Sequence, residues 1–228
     1  GICSDDTLLT LAIADSIYEN WGINMDDIVS RQVQAVQAEP FWFWTGTFTT
    51  MEKIASGTDW RNIQDVSFWN GMMMKQSPLA FHEVVSWEKL ESTVLWIARI
   101  THAHPISLVA ARLHHKLLVD IIMSGSESFD MMYWLNEWIQ YAKKCEKDAM
   151  ASLYMSGLLE DIQCEWATPM TLETIGANYA RKISTEKNPY FNILSTVGIV
   201  YAIFLRQQDF KAVQQWVSIG GDTDSYAS

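Results

Sequence analysis

Apolar residues along this chain recur at three- and four-residue intervals almost throughout, the spacing of one face of a helix. From Thr7, the positions Leu9, Ala12, Ile13, Ser16 and Ile17 form a stripe that Trp21-Gly22 ends. Asp26 to Val36 predicts a second, weaker helix. After Pro40 the run Phe41-Trp42-Phe43-Trp44 is too short to assign, and a helix from Thr47 to Ala55 stops at Gly57. Residues 58–77 hold turn formers without a sustained period and are expected to form an ordered loop. Leu90 to Ile100 is apolar nearly all round, which predicts a buried helix. Pro105 suits the first turn of the next one, whose stripe of Ile106, Val109, Ala110, Leu113, Leu117 and Ile121 closes at Gly125. Further helices are expected over 127–147, 150–160 and 171–183. Phe191, Leu194, Gly198, Tyr201 and Leu205 mark another, and Phe210, Val213 and Val217 a short last one. Alternating strand patterns are nearly absent. The expected fold is therefore all-α, a single compact orthogonal domain of roughly ten helices over residues 1–228.

Composition changes this picture in three ways. Nearly half of the chain is hydrophobic, with 11 Trp and 11 Met, so there is material for a large core. The formal net charge of −11, with no Lys/Arg block, sets the surface against nucleic acid and anionic lipid as partners. An anionic substrate would then have to be held by bound cations, backbone N–H groups and helix N-termini. Cys3, Cys145 and Cys164 are far apart and lack C-x-x-C spacing, which disfavours a disulfide framework or a zinc site and fits a reducing, cytoplasmic setting. No stretch approaches the roughly 20 apolar residues of a membrane span.

Four segments carry candidate chemistry. Ser4-Asp5-Asp6-Thr7 stands directly before a helix, where one Ser or Asp serves as an N-cap and acid is favoured by the helix dipole. Two adjacent Asp exceed what a cap requires. Gly220-Gly221-Asp222-Thr223-Asp224-Ser225 reads as a glycine turn and cap, or as a D-x-D that turns both carboxylates to one point. Taken together, four carboxylates with the Ser4 and Ser225 hydroxyls are an all-oxygen set suited to Mg²⁺, Mn²⁺ or Ca²⁺. Such a cluster would repel itself unless cations sat within it.

Thr101-His102-Ala103-His104-Pro105 places His102 on a turn into a helix, where a neutral or charged imidazole can donate to phosphate or simply cap. Two His one residue apart do not share a helical face, which disfavours zinc. His114-His115 falls mid-helix and is expected at the surface or in packing. Ser67-Phe68-Trp69-Asn70-Gly71 is an ordinary turn by its Asn-Gly, or a loop whose N–H groups cradle a diphosphate. The following Met72, Met73 and Met74 are expected in the core.

With these segments in this order, the sequence resembles the ADP-ribosyl-glycohydrolases, the family of dinitrogenase reductase-activating glycohydrolase. The resemblance rests on SDDT, the S-x-x-N-G-x-x-M-K-x-x-P-L run, T-H-A-H-P and G-G-D-T-D-S, from Ser4 to Ser225, with Gly46-Thr47 and Thr50 as a vaguer piece. It implies an all-α domain with two divalent cations, Mg²⁺ or Mn²⁺, that removes ADP-ribose from a modified protein side chain. It further implies metal ligands at Ser4, Asp5, Asp6, Asp222, Asp224 and Ser225, with Asp224 shared between the ions and the four Asp also serving catalysis. Ser67, Phe68, Asn70, Gly71 and His102 would line the diphosphate and ribose subsite. The implied partners are ADP-ribose and an ADP-ribosylated protein.

Departures from the family pattern are also present. Ser4 replaces threonine, Trp69 stands where glycine is usual, and Lys75 occupies a position often held by arginine. The family's G-D-x-x-G helix start before the first Asp pair, and its helices after the second, have no counterpart in the sequence. A member shortened at both ends, or part of a longer chain, is therefore expected. The alternative function is a non-catalytic ADP-ribose-binding module built on the same fold.

Overall fold

The computed structural model describes residues 4–125, 130–164, 169–183 and 192–206. Ten helices follow one another along these segments: α1 (Asp5–Asn20), α2 (Met25–Ala38), α3 (Thr45–Ala55), α4 (Ser77–Ser86), α5 (Glu91–Thr101), α6 (Pro105–Ser124), α7 (Met131–Asp148), α8 (Tyr154–Cys164), α9 (Pro169–Ile183) and α10 (Ile193–Arg206). Short 3₁₀ turns lie at Pro40–Trp42 and Trp60–Asn62. The expected all-α class is what the chain adopts. The sole β-type pairing among the described residues is an isolated antiparallel bridge between Trp69 and Asn192. The helix expected around Phe210 to Val217 lies outside the described residues. No helix among the described residues is long and apolar enough to cross a membrane.

Helix α6 is the centre of the packing and meets α4, α5, α7, α8 and α10. Pro105 occupies its first turn, the His104 ring accepts a hydrogen bond from the Ile106 N–H, and Gly125 ends it at positive φ. The all-round burial expected of Leu90–Ile100 belongs to this helix instead. In α5, Trp96 is exposed and carries Arg99 over its ring, so only one face is covered. In α6 even Arg112, His115 and Asp120 are buried, because each is paired. Arg112 meets Glu91 and Asp148, His115 meets Glu83, and Asp120 accepts from Lys116 and from the Trp138 indole.

Helix α4 is not foreseen by the hydrophobic pattern. Its inward face consists of Leu79, Ala80 and the carboxylate Glu83, while Phe81 and Val85 point outward. Glu83 is tolerated inside because His115, Lys89 and the Leu90 N–H all bond to it. A similar device joins α7 to α8, where buried Glu146 accepts from the Met155 N–H, the Ser156 N–H and the Ser156 hydroxyl. It acts as a remote cap for the α8 N-terminus.

Two apolar clusters result. The larger runs under α4 to α8 and α10, with Trp138 fully buried against Trp134 and Tyr201. The smaller gathers Leu9, Val29, Val33, Val36, Phe43, Met51, Trp60, Met74 and Ile100. Met72, Met73 and Met74 divide between the two, as core methionines. Helices α9 and α10 cross at glycine: a Cβ on Gly198 would stand 3.0 Å from the Gly176 Cα. That close approach seats the first turn of α10, including Asn192 and Thr196, beside the loop before α4.

Candidate active site

Three of the four segments picked out in the sequence meet in space. The first is the N-terminus of α1. Ser4 is its N-cap residue in extended geometry, yet its side chain makes no capping bond. Asp5 is half-buried and Asp6 buried, both in the first turn, where the unpaired N–H groups and dipole favour negative charge. One turn on, the Thr10 hydroxyl lies 2.7 Å from the Asp6 carbonyl and 3.1 Å from the Met74 carbonyl. This ties α1 to the second segment, the loop from Ser67 to Lys75.

That loop is fixed from several sides. The Ser67 carbonyl accepts from the Ser107 hydroxyl at 3.1 Å, and the Phe68 carbonyl from the Ile193 N–H at 3.0 Å. The Asn70 side-chain amide donates to the Thr196 hydroxyl at 3.1 Å, and the Met73 N–H closes a turn onto the Asn70 carbonyl. Phe68 stands edge-on to His104 with ring centroids 5.8 Å apart. At the far end, Lys75 is only 1% exposed. Burial pulls its ammonium down to about 8, and the Asp5 carboxylate beside it acts in the opposite direction.

His102, from the third segment, follows α5 and lies against Gly71. A Cβ on Gly71 would come within 3.3 Å of His102 Cε1 and 3.4 Å of Nε2, so the glycine admits the ring. His102 Nδ1 is 2.8 Å from the Thr101 hydroxyl oxygen, and Lys75 Nζ approaches the same oxygen at 3.4 Å. Burial, with the neighbouring Lys75 charge, pushes the imidazole down to about 3. Of the two protonation states left open by the sequence, the neutral one applies at physiological pH. His104 takes the capping role at α6, which leaves His102 to its contact with Gly71. Gly46 belongs to the same neighbourhood: its Cα faces the Asp65 carboxylate, and the Asp65 carbonyl accepts from the Ala103 N–H.

A family model of ADP-ribosylglycohydrolases matches residues 1–228, the whole chain. The chain belongs to the ADP-ribosylglycohydrolase family. The activity class of this family is hydrolysis of ADP-ribose linkages. No curated protein sequence matches the chain significantly.

Of the residues expected in an ADP-ribosylglycohydrolase site, Ser4, Asp5, Asp6, Ser67, Phe68, Asn70, Gly71 and His102 fall in this one neighbourhood. Asp222, Asp224 and Ser225 lie outside the described residues. Thr10, Thr101, Asn192 and Thr196 support the site but were not anticipated. Thr101 sits inside the T-H-A-H-P run, which gives it a signal; the other three have none in a single sequence. His114 and His115 are packing residues, as expected. Burial pushes His114 down to about 4 beside Tyr201, and His115 is bonded to Glu83.

Proposed function

We propose that the chain is a divalent-cation-dependent hydrolase of the glycosidic bond between ADP-ribose and a protein side chain, N- or O-linked. The observation that supports it best is the meeting of the α1 N-terminus, the Ser67–Lys75 loop and His102, three segments far apart in sequence. A purely structural origin of the motifs gives no reason for them to gather in one place.

The donor set fits two hard cations, Mg²⁺ or Mn²⁺. Ser4 keeps its hydroxyl out of helix capping, and Asp5 and Asp6 are adjacent in the first turn of α1 with Lys75 beside Asp5. Among the described residues no third acidic, His or Cys side chain completes a metal group with them. In this proposal Asp222, Asp224 and Ser225 supply the remaining oxygens. The cations would neutralise the carboxylates and supply the electrostatic pull that orients ribose hydroxyls and a water.

The chain's own residues do the rest. The loop from Ser67 to Gly71 holds the diphosphate by backbone N–H groups, which carry no net charge and suit an acidic protein. His102, neutral, donates one hydrogen bond to a phosphate oxygen. An Asp carboxylate accepts the proton of the attacking water, and Trp69, in place of glycine, narrows the cradle at one side.

Two outcomes are expected. First, free ADP-ribose is released from an ADP-ribosylated protein only when Mg²⁺ or Mn²⁺ is supplied, as read by chromatography of the nucleotide product. Binding of ADP-ribose without cleavage of any linkage would instead mark a binding module. Second, Gly71→Ala weakens ADP-ribose binding about tenfold, as measured by calorimetry, because the new methyl displaces the His102 ring. Gly71 has no positive φ, so the same substitution costs only the crowding against the ring, about 1–3 kcal/mol of stability. Unchanged affinity would remove Gly71 and His102 from the subsite.

A further inference from the structure

We propose that Lys75 and Thr101 are positioning residues that set the tautomer of His102, so that its Nε2 carries the proton presented to the substrate diphosphate. The inference rests on the proposed role of His102 and adds a chain of two hydrogen bonds behind it.

Donors and acceptors fix how these three side chains are arranged. A lysine ammonium has three N–H donors and no acceptor, whereas a threonine hydroxyl gives one proton and accepts others. Lys75 Nζ faces the Thr101 oxygen at 3.4 Å, the long end of hydrogen bonding, and can only donate to it as an ammonium. The hydroxyl proton of Thr101 is then directed at its other neighbour, His102 Nδ1, at 2.8 Å. A neutral imidazole whose Nδ1 accepts must carry its hydrogen on Nε2. Among the described residues Nδ1 is engaged and Nε2 is not hydrogen-bonded.

The surroundings leave few other ways to orient the ring. Lys75, Thr101 and His102 are all buried, so water does not compete freely for these bonds. Thr101 is the last residue of α5, where a helical threonine commonly bonds back to the carbonyl four residues earlier. Here its hydroxyl is spent on Lys75 and His102 instead. On the other side, Gly71 touches Cε1 and Nε2 of the ring and offers no side chain to compete for the proton. A guanidinium spreads its donors over a plane, whereas an ammonium is a compact donor that fits behind a single hydroxyl.

The test reads the tautomer directly, by long-range ¹H–¹⁵N correlation of His102 in the ligand-free full chain near neutral pH. The wild type and Thr101→Ser should both show a protonated Nε2 and an unprotonated Nδ1. Thr101→Val, which keeps the shape and loses the hydroxyl, should show a mixture or a protonated Nδ1. Its ADP-ribose affinity should fall about tenfold, while Thr101→Ser retains it. Lys75→Met should act in the same direction as Thr101→Val. A protonated Nδ1 in the wild type, or a tautomer indifferent to Thr101→Val, would overturn the proposal. Because the tautomer is read without ligand, failure of the wild type to bind ADP-ribose counts against the proposed function alone.

Discussion

Asp6→Asn is expected to lower cation-dependent release of ADP-ribose by about two orders of magnitude or more, the scale on which removing one electrostatic contact of a reaction centre acts. Asp6 is buried in the first turn of α1, and its backbone carbonyl already accepts from Thr10. Asparagine keeps the size of the side chain and leaves that carbonyl bond intact, so the helix start should persist. What is lost is a charge and a hard oxygen ligand. The helix end loses a favourable charge while the proposed ligand carboxylates repel one another less, so the metal-free protein should be about as stable as the wild type. In the wild type, Mn²⁺ at about 100 times its dissociation constant should add about 2.7 kcal/mol, by preferential binding to the folded state. In Asp6→Asn the thermal shift should largely vanish. An unchanged release rate together with an unchanged shift would show that Asp6 is only a capping-turn carboxylate.

Trp138→Ala should destabilise the fold by about 3–5 kcal/mol. The indole is completely buried where α6, α7 and α10 meet, packed on Trp134 and Tyr201. Its Nε1–H lies 2.9 Å from Asp120 Oδ2 and helps keep that carboxylate satisfied inside the protein. Alanine would open a cavity and remove one donor from a buried acid. Trp138→Phe separates the two contributions: it retains most of the ring and should cost about 1–2 kcal/mol through the lost hydrogen bond. Urea denaturation followed by far-ultraviolet circular dichroism measures both. A loss below about 1 kcal/mol for Trp138→Ala would mean that the cluster is loosely packed and collapses around the gap.

The helical period made most of the architecture legible, because α1, α2 and α7 each bury a regular apolar stripe. It failed where a charged residue does the work of an apolar one. In α4 the buried position Glu83 is satisfied by His115, a residue 32 positions away, and nothing local announces that partner. The same effect hid the centrality of α6, whose Arg112, His115 and Asp120 look like surface residues until their partners are in place. At the site, the residue types and their order were readable, since acidic pairs, Asn-Gly and His-x-His-Pro are short local patterns. Their mutual support was not. Lys75 and Thr101 meet across 26 residues, and Asn70 finds Thr196 across 126. Such contacts follow from how α1, α5 and α10 pack, not from any spacing along the chain.

In the proposed site, acidic residues far apart in the sequence share two cations. Crystals soaked in Mn²⁺, with diffraction collected at the manganese absorption edge, test it most directly. Two anomalous peaks about 3.5–4 Å apart are expected, one ligated by Ser4, Asp5 and Asp6, the other by Asp222 and Ser225, with Asp224 between them. Asp222 and Asp224 found on a face remote from Asp5 and Asp6, or a cleft that takes up no manganese, would contradict it.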